Sequence, residues 1–196
     1  MLGGDMGEVM AIERIAEELV RFNGYLTVCN MPFKKGRGHG DLDIIGYRPK
    51  DKRILVVECK AWGGPDEYKN FSTQKEIENL RKLVGKIYKD WVAFTKSKTN
   101  LWEFKKNELK EIWLIIPGYF KNEETPRQIE EQASSNLGVQ VKIMPIHMMI
   151  KELFERIKED KDVRRKRYLD SASELIRWLF RAKERVDVKE FLSPLS

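Results

Sequence analysis

Residues 41–60 read DLDIIGYRPKDKRILVVECK. The apolar segments Asp41 to Tyr47 and Arg53 to Lys60 are of strand length and rich in β-branched residues, and Pro49-Lys50-Asp51-Lys52 between them has turn chemistry. Side chains alternate along a strand, so Asp41, Asp43 and Ile45 are expected on one face and Leu42 and Ile44 on the other. In the second strand Val56, Glu58 and Lys60 share a face, opposite Leu55, Val57 and Cys59. Folding about Lys50-Asp51 sets Ile44 against Val57, Asp43 against Glu58 and Asp41 against Lys60; a slip of one residue would mix the apolar and charged faces, so the pattern favours this register or one displaced by two. Strands apolar on both faces belong in the middle of a sheet, where each desolvated carboxylate costs roughly several kcal/mol. Lys60 offsets one acid. A divalent cation is the natural counter-charge for the rest, and hard carboxylate oxygens suit magnesium or manganese.

Upstream, Asp5 with Glu8 marks a helix start, and Ile12, Ile15, Ala16, Leu19 and Val20 recur at helical spacing until Asn23-Gly24. Glu13 lies at the edge of that apolar stripe. By spacing alone it is an acid of an ordinary amphipathic helix, or one that leans over the sheet to join the cluster. A short strand, Tyr25 to Cys29, precedes the basic, glycine-rich stretch Lys34 to Gly40, which reads as a loop.

Downstream, Trp62-Gly63-Gly64-Pro65 breaks the pattern, and Thr73 with Glu76 makes a capping box for a long helix carrying Ile77, Leu80, Val84, Ile87 and Trp91. A lysine- and asparagine-rich connection contains Trp102 and Phe104, which are either core anchors or rings able to stack on bases. Ile112 to Pro117 is a buried-type strand, Thr125-Pro126-Arg127-Gln128 opens a helix, and Val139 to Met144 is a further strand. From Ile146 the chain reads as helical. Its last long helix is expected to bury Leu169, Ala172, Leu175, Ile176 and Leu179 and to expose Arg164, Arg165, Lys166, Arg167, Arg177, Arg181 and Lys183. The order implies an α/β fold, a mixed sheet with helices on both faces: an antiparallel meander of three strands, then a parallel crossover. We expect one domain over residues 1–145 and a helical extension, 146–196, packed on it.

At 196 residues, 41% hydrophobic and 35% charged, the chain can bury one sizeable core. The net charge of +6 and pI near 9.2 fit either a polyanionic partner or a solvated Lys/Glu-rich surface. Cys29 and Cys59 lie in apolar runs and read as core thiols, and the distant His39 and His147 make a zinc site an unsuitable reading. No apolar run is long enough to span a membrane and the N-terminus lacks signal-peptide character, so a cytoplasmic location is expected.

The motifs Glu13 in ERIAEELVRFNGY, Asp43 in GHGDLDIIGY and Glu58 with Lys60 in VVECKAW resemble the PD-(D/E)xK nuclease superfamily. The first motif looks like the opening helix of archaeal Holliday junction resolvases. The resemblance covers roughly the first half of the chain. It implies a restriction-endonuclease-like α-β-β-β-α-β core and a magnesium-dependent endodeoxyribonuclease of DNA repair, recombination or restriction. Leu42 stands where the family usually has proline before its aspartate, and Asp41 is either an alternative to Asp43 as metal ligand or only a partner of Lys60 across the hairpin. In the roles implied, Asp43, Glu58 and the Cys59 carbonyl hold Mg2+ or Mn2+, Glu13 contacts a second ion or its water, and Lys60 orients the water or stabilises the transition state. Gln74 either supports the site or faces solvent.

Lys34, Lys35, Arg37 and His39 stand just before the motif strand and are the candidate contacts to a DNA backbone. Resolvases of this kind are symmetric dimers, so a homodimer is possible by the same likeness. The competing readings are a catalytically inactive nucleic-acid-binding scaffold of this fold and a protein-interaction domain whose acids form only an ion-pair network.

Overall fold

The structure is a computed structural model that describes residues 5–36, 38–60 and 69–159. Helix α1 (Asp5–Phe22) leads into strands β1 (Leu26–Lys35), β2 (Gly38–Arg48) and β3 (Arg53–Cys59). A short strand β4 (Lys69–Asn70) precedes helix α2 (Gln74–Phe94). Then come β5 (Leu109–Ile116), β6 (Gly118–Tyr119), α3 (Glu124–Leu137), β7 (Gln140–Pro145) and α4 (Ile146–Glu159). The five long strands form one sheet in the order β1-β2-β3-β5-β7, antiparallel from β1 to β3 and parallel from β3 to β7. This is the α/β architecture expected: a meander, a helical crossover, then parallel strands, with helices on both faces.

Two helices have a local reason to begin or end where they do. Thr73 caps α2 by accepting the Glu76 N–H while the Glu76 carboxylate accepts the Thr73 N–H at 2.9 Å, the reciprocal box expected. Helix α3 stops at Gly138, which adopts φ 68°. One core layer packs α2 and α3 on the sheet through Leu80, Val84, Trp91, Val56, Leu114 and Ile143. The other packs α1 and α4 on the opposite face through Leu19, Val20, Ile44, Val57, Ile115 and Met149. Leu153 of α4 is also buried there, so the first helix after residue 145 belongs to the same packed body. The last long helix expected from the sequence, with the burial and basic face assigned to it, falls on residues outside the described ones, as does the Trp62 to Pro65 break.

Two features depart from the strand reading. Lys34 to Gly40 is not a loop: β1 continues to Lys35 and β2 starts at Gly38, so Lys34 pairs with His39 and Lys35 with Gly38 at the tip of a long hairpin. Gly36 turns it with φ 58°, and Gly40 is required because a Cβ there would sit 2.6 Å from the ring of Phe33, its cross-strand partner, which is fully buried. Glycines that signal a loop in isolation here permit pairing and a ring laid over the backbone.

The second departure is in strand faces. Leu42 packs in the same core layer as Ile45, whereas Ile44 lies in the other, so simple alternation fails beside Asp43. Directly across, Met31 and Phe33 join the first layer while Cys29 lies with the second. The change falls at Asn30, which adopts φ 53° within β1. Asparagine tolerates this left-handed conformation, and the two-stranded ribbon turns over at that point.

The outer strand β7 has a closed edge. In a parallel strand alternate residues address opposite neighbours, so Val141, Ile143 and Pro145 face outward. The Val141 N–H donates to Ser134 Oγ at 2.9 Å and the Ile143 N–H to Glu130 Oε1 at 2.6 Å, while Pro145 has no N–H to leave open. Both cysteines are free: Cys59 is a buried core thiol as expected, whereas Cys29 is half-buried at the margin of the core.

Candidate active site

The register of the central hairpin is the one set by its turn. Ile44 pairs with Val57 and Arg48 with Arg53, while Arg48 ties the turn through bonds of 2.9 and 2.7 Å to Asp51. One step further would set Asp43 against Glu58, and there the ladder between β2 and β3 ends. Strand β2 continues with β1, whereas β3 continues with β5, pairing Glu58 with Leu114 and Cys59 with Ile115. The Lys60 N–H donates to the Ile115 carbonyl at 2.9 Å, so the backbone groups of Cys59 address the β2 side. Its N–H donates to Asp43 Oδ2 at 2.6 Å, and its carbonyl turns toward the same opening.

Four carboxylates gather around Lys60 in this opening. Asp43 and Glu58 are buried, Glu13 reaches in half-buried from α1, and Asp41 stands exposed at the rim. Burial, then the negative charge of Glu58, pushes the Asp43 carboxyl up to about 7, against the opposing pull of the Cys59 N–H and Lys60. Glu13 is likewise raised, first by burial and then by Asp41 and Glu58. Burial works against the Lys60 ammonium, yet Glu58, by charge and a direct hydrogen bond, and then Asp43 and Asp41 hold its pKa above the ordinary lysine value. Glu13, Asp43, Glu58 and Lys60 therefore lie within one another's electrostatic reach, with acid in excess.

The donor set suits a hard divalent cation in its chemistry: carboxylate oxygens, a backbone carbonyl on the same side, and more negative charge than Lys60 neutralises. The side chains are not drawn into a coordination sphere. Among the described residues no three His, Cys, Asp or Glu side chains stand at metal-binding spacing. Glu58 is bonded to Lys60 and Asp43 to the Cys59 N–H.

No protein-family model matches the chain, and no curated protein does. Among solved structures it is similar to AF1548, a protein of unknown function, at 17% identity and TM-score 0.40 over 78% of this chain and 74% of that one. It is similar to restriction endonuclease FokI bound to DNA, at 12% identity and TM-score 0.46 over 83% of this chain and 27% of that one. A third is protein VC1899 from Vibrio cholerae, at 9% identity and TM-score 0.37 over 75% of this chain and 31% of that one.

The other residues singled out in the sequence lie as follows. Asp41 does not pair with Lys60 by hydrogen bond; that ammonium goes to Glu58, two residues back on its own strand. Gln74 is the exposed first residue of α2. Lys34 and His39 are exposed and face each other across the hairpin tip, and Arg37 lies outside the described residues. Lys35 is held in an ion pair by the buried Asp90 of α2, which Lys86 also approaches at 3.4 Å. Phe104 packs on Trp91 and Tyr47, as a core anchor would, whereas Trp102 stacks on Phe104 and is 46% exposed.

Sequence reasoning missed Asn30 and Asp90. An asparagine inside a strand was the signal for the first. The second carries none, because its partner is 55 residues away.

Proposed function

We propose that this chain is a metal-dependent nuclease that hydrolyses phosphodiester bonds in DNA, in repair, recombination or restriction. One observation carries the reading: Asp43 and Glu58 are buried beside each other where β2 and β3 part, with Glu13 and Asp41 adding charge that Lys60 alone does not offset. The family motifs fall on these same positions.

Asp43, Glu58 and the Cys59 carbonyl would hold Mg2+ or Mn2+, with Glu13 reaching a second ion or its water. A bound cation of this kind lowers the pKa of its water and neutralises charge developing on the phosphate. To serve as ligands, Asp43, whose pKa is raised to about 7, would have to be ionised, and Glu58 would have to exchange its bond to the Lys60 ammonium for the cation. Lys60, so released, would be placed to donate to the attacking water or to the phosphoryl oxygens. Lys34 at the hairpin tip, and Arg37 of the same sequence stretch, would supply charge for the DNA backbone, with His39 across from Lys34 as a further polar contact.

A scaffold of this fold that binds nucleic acid without cutting it is the second reading. A cleavage panel over branched, single-stranded and duplex DNA with magnesium and manganese separates the two. Metal-dependent cleavage that Asp43→Ala and Glu58→Ala abolish, with both variants folded, supports the nuclease. Cleavage retained in either variant refutes the residue assignment, and DNA binding with no cleavage by the wild-type chain supports the scaffold.

A further inference from the structure

The connection between α2 and β5 presents the apolar pair Leu101, 81% exposed, and Trp102, 46% exposed. They are the only two neighbours in sequence among the exposed large hydrophobic residues of the described chain. Exposed apolar residues are commonplace on their own, so what matters is whether the backbone beneath this pair is held. It is held here. Asn100 Nδ2 donates to the carbonyls of Thr95 and Phe104 at 3.2 and 2.8 Å, and its Oδ1 accepts the Phe104 N–H at 3.0 Å. Thr99 Oγ1 donates to the Pro32 carbonyl of β1 at 2.7 Å.

The indole is also backed from below. Trp102 stacks on Phe104 with ring centroids 5.9 Å apart and planes 15° apart, and Phe104 rests on the fully buried Trp91 at 6.0 Å. One face of Trp102 is thus fixed against an aromatic series that runs into the core, and the ring projects on a frame that does not need to order itself on binding.

The surroundings are cationic. Lys96, Lys98, Lys105 and Lys106 are exposed on the same connection, against the single acid Glu103 between Lys96 and Lys106. The basic hairpin tip lies at the same end of α2, because Phe33 of β1 packs edge-on to Phe94 at 6.4 Å. Phe104 meets Tyr47, four residues along β2 from Asp43, a separation of roughly 13 Å along the strand.

We propose that Leu101, Trp102 and the surrounding lysines form a stacking platform for single-stranded DNA, separate from the acid cluster. Every base offers a π-face, so an exposed indole in a basic border binds unpaired bases with little sequence preference, while duplex DNA keeps its bases out of reach. The proposal rests on the DNA partner of the preceding reading, not on cleavage.

The test is fluorescence anisotropy of a short labelled oligothymidylate and of a duplex of equal length, in EDTA with the acid cluster intact. Trp102→Ala is expected to weaken oligothymidylate binding by about tenfold or more, with Trp102→Phe retaining most of it and duplex binding unchanged. Oligothymidylate affinity unchanged in Trp102→Ala, or an equal loss for the duplex, overturns the platform. A change in oligomeric state with unchanged oligonucleotide affinity also overturns it, and assigns the patch to protein contacts. Trp102→Phe keeps a ring on Phe104, so its thermal melting should match the wild type, and binding is compared at a temperature where Trp102→Ala is also folded. Duplex cleavage by Trp102→Ala tests the nuclease reading separately.

Discussion

Asp43 Oδ2 accepts the Cys59 N–H at 2.6 Å, so a side chain of one strand takes the place of the backbone carbonyl that would continue the ladder to the next. The bond opens the sheet and holds a carboxylate in the opening. Burial and Glu58 nevertheless make ionised Asp43 unfavourable, and its pKa rises from 3.8 to about 7. Between about pH 4 and 7 the folded chain then binds more protons than the unfolded one, and stability falls as pH rises through that window. Asp43→Asn, which keeps an acceptor for Cys59, lacks this slope and is expected to be more stable than wild type by about 1 kcal/mol or more at pH 8 in EDTA. Denaturant titrations at both ends of the window read the difference; parallel slopes for the two proteins would remove Asp43 as its source.

Lys60 is the counter-ion of Glu58, whose side chain is only 9% exposed. Lys60→Met keeps the apolar stem and leaves a buried carboxylate unpaired, at a cost of about 3 kcal/mol without metal. Manganese should restore much of that loss in a thermal melt while cleavage stays absent. Equal melting of variant and wild type in EDTA would show that the ion pair contributes little.

Gly40 lies under the Phe33 ring, and Phe33 is 1% exposed with nowhere to move. Gly40→Ala is expected to destabilise by about 1–3 kcal/mol through overpacking, and Phe33→Leu in the same chain to recover part of it. Chemical denaturation of the single and double variants checks both, and additivity would contradict the contact.

At β7, Glu130 is half-buried on the Ile143 N–H. Glu130→Ala leaves that donor without its partner at a sheet edge, an expected loss of about 1–3 kcal/mol together with concentration-dependent aggregation. Ser134→Ala should act more weakly in the same direction. Light scattering during thermal unfolding compares them, and a monomeric, undiminished Glu130→Ala protein would show the edge to be protected by other means.

The hairpin register was legible because a two-residue period and a turn at Lys50-Asp51 leave few ways to keep Val57 with Ile44. Helix α2 was legible for a local reason as well, since Thr73 and Glu76 cap each other. What lay outside sequence reasoning was tertiary. Gly36, Gly38 and Gly40 signal a loop until Phe33 and Asp90 of α2 give the hairpin something to rest on. The face change at Asp43 depends on the backbone angle of Asn30 across the ribbon, which no periodicity contains. Glu13 could be placed on its helix but not in the site, because its proximity to Asp41 and Glu58 is set by how α1 crosses the sheet.

Calorimetric titration of manganese into the metal-free protein at about pH 8, beside Asp43→Ala and Glu58→Ala, asks directly whether these acids form a cation site. Saturable binding by the wild type, with protons released in larger number near pH 6.5 where Asp43 is still partly protonated, and its loss in both variants, is the expected result. No specific heat from the wild type, or equal heats from all three proteins, would mean that the cluster is an ion-pair network and not a metal centre.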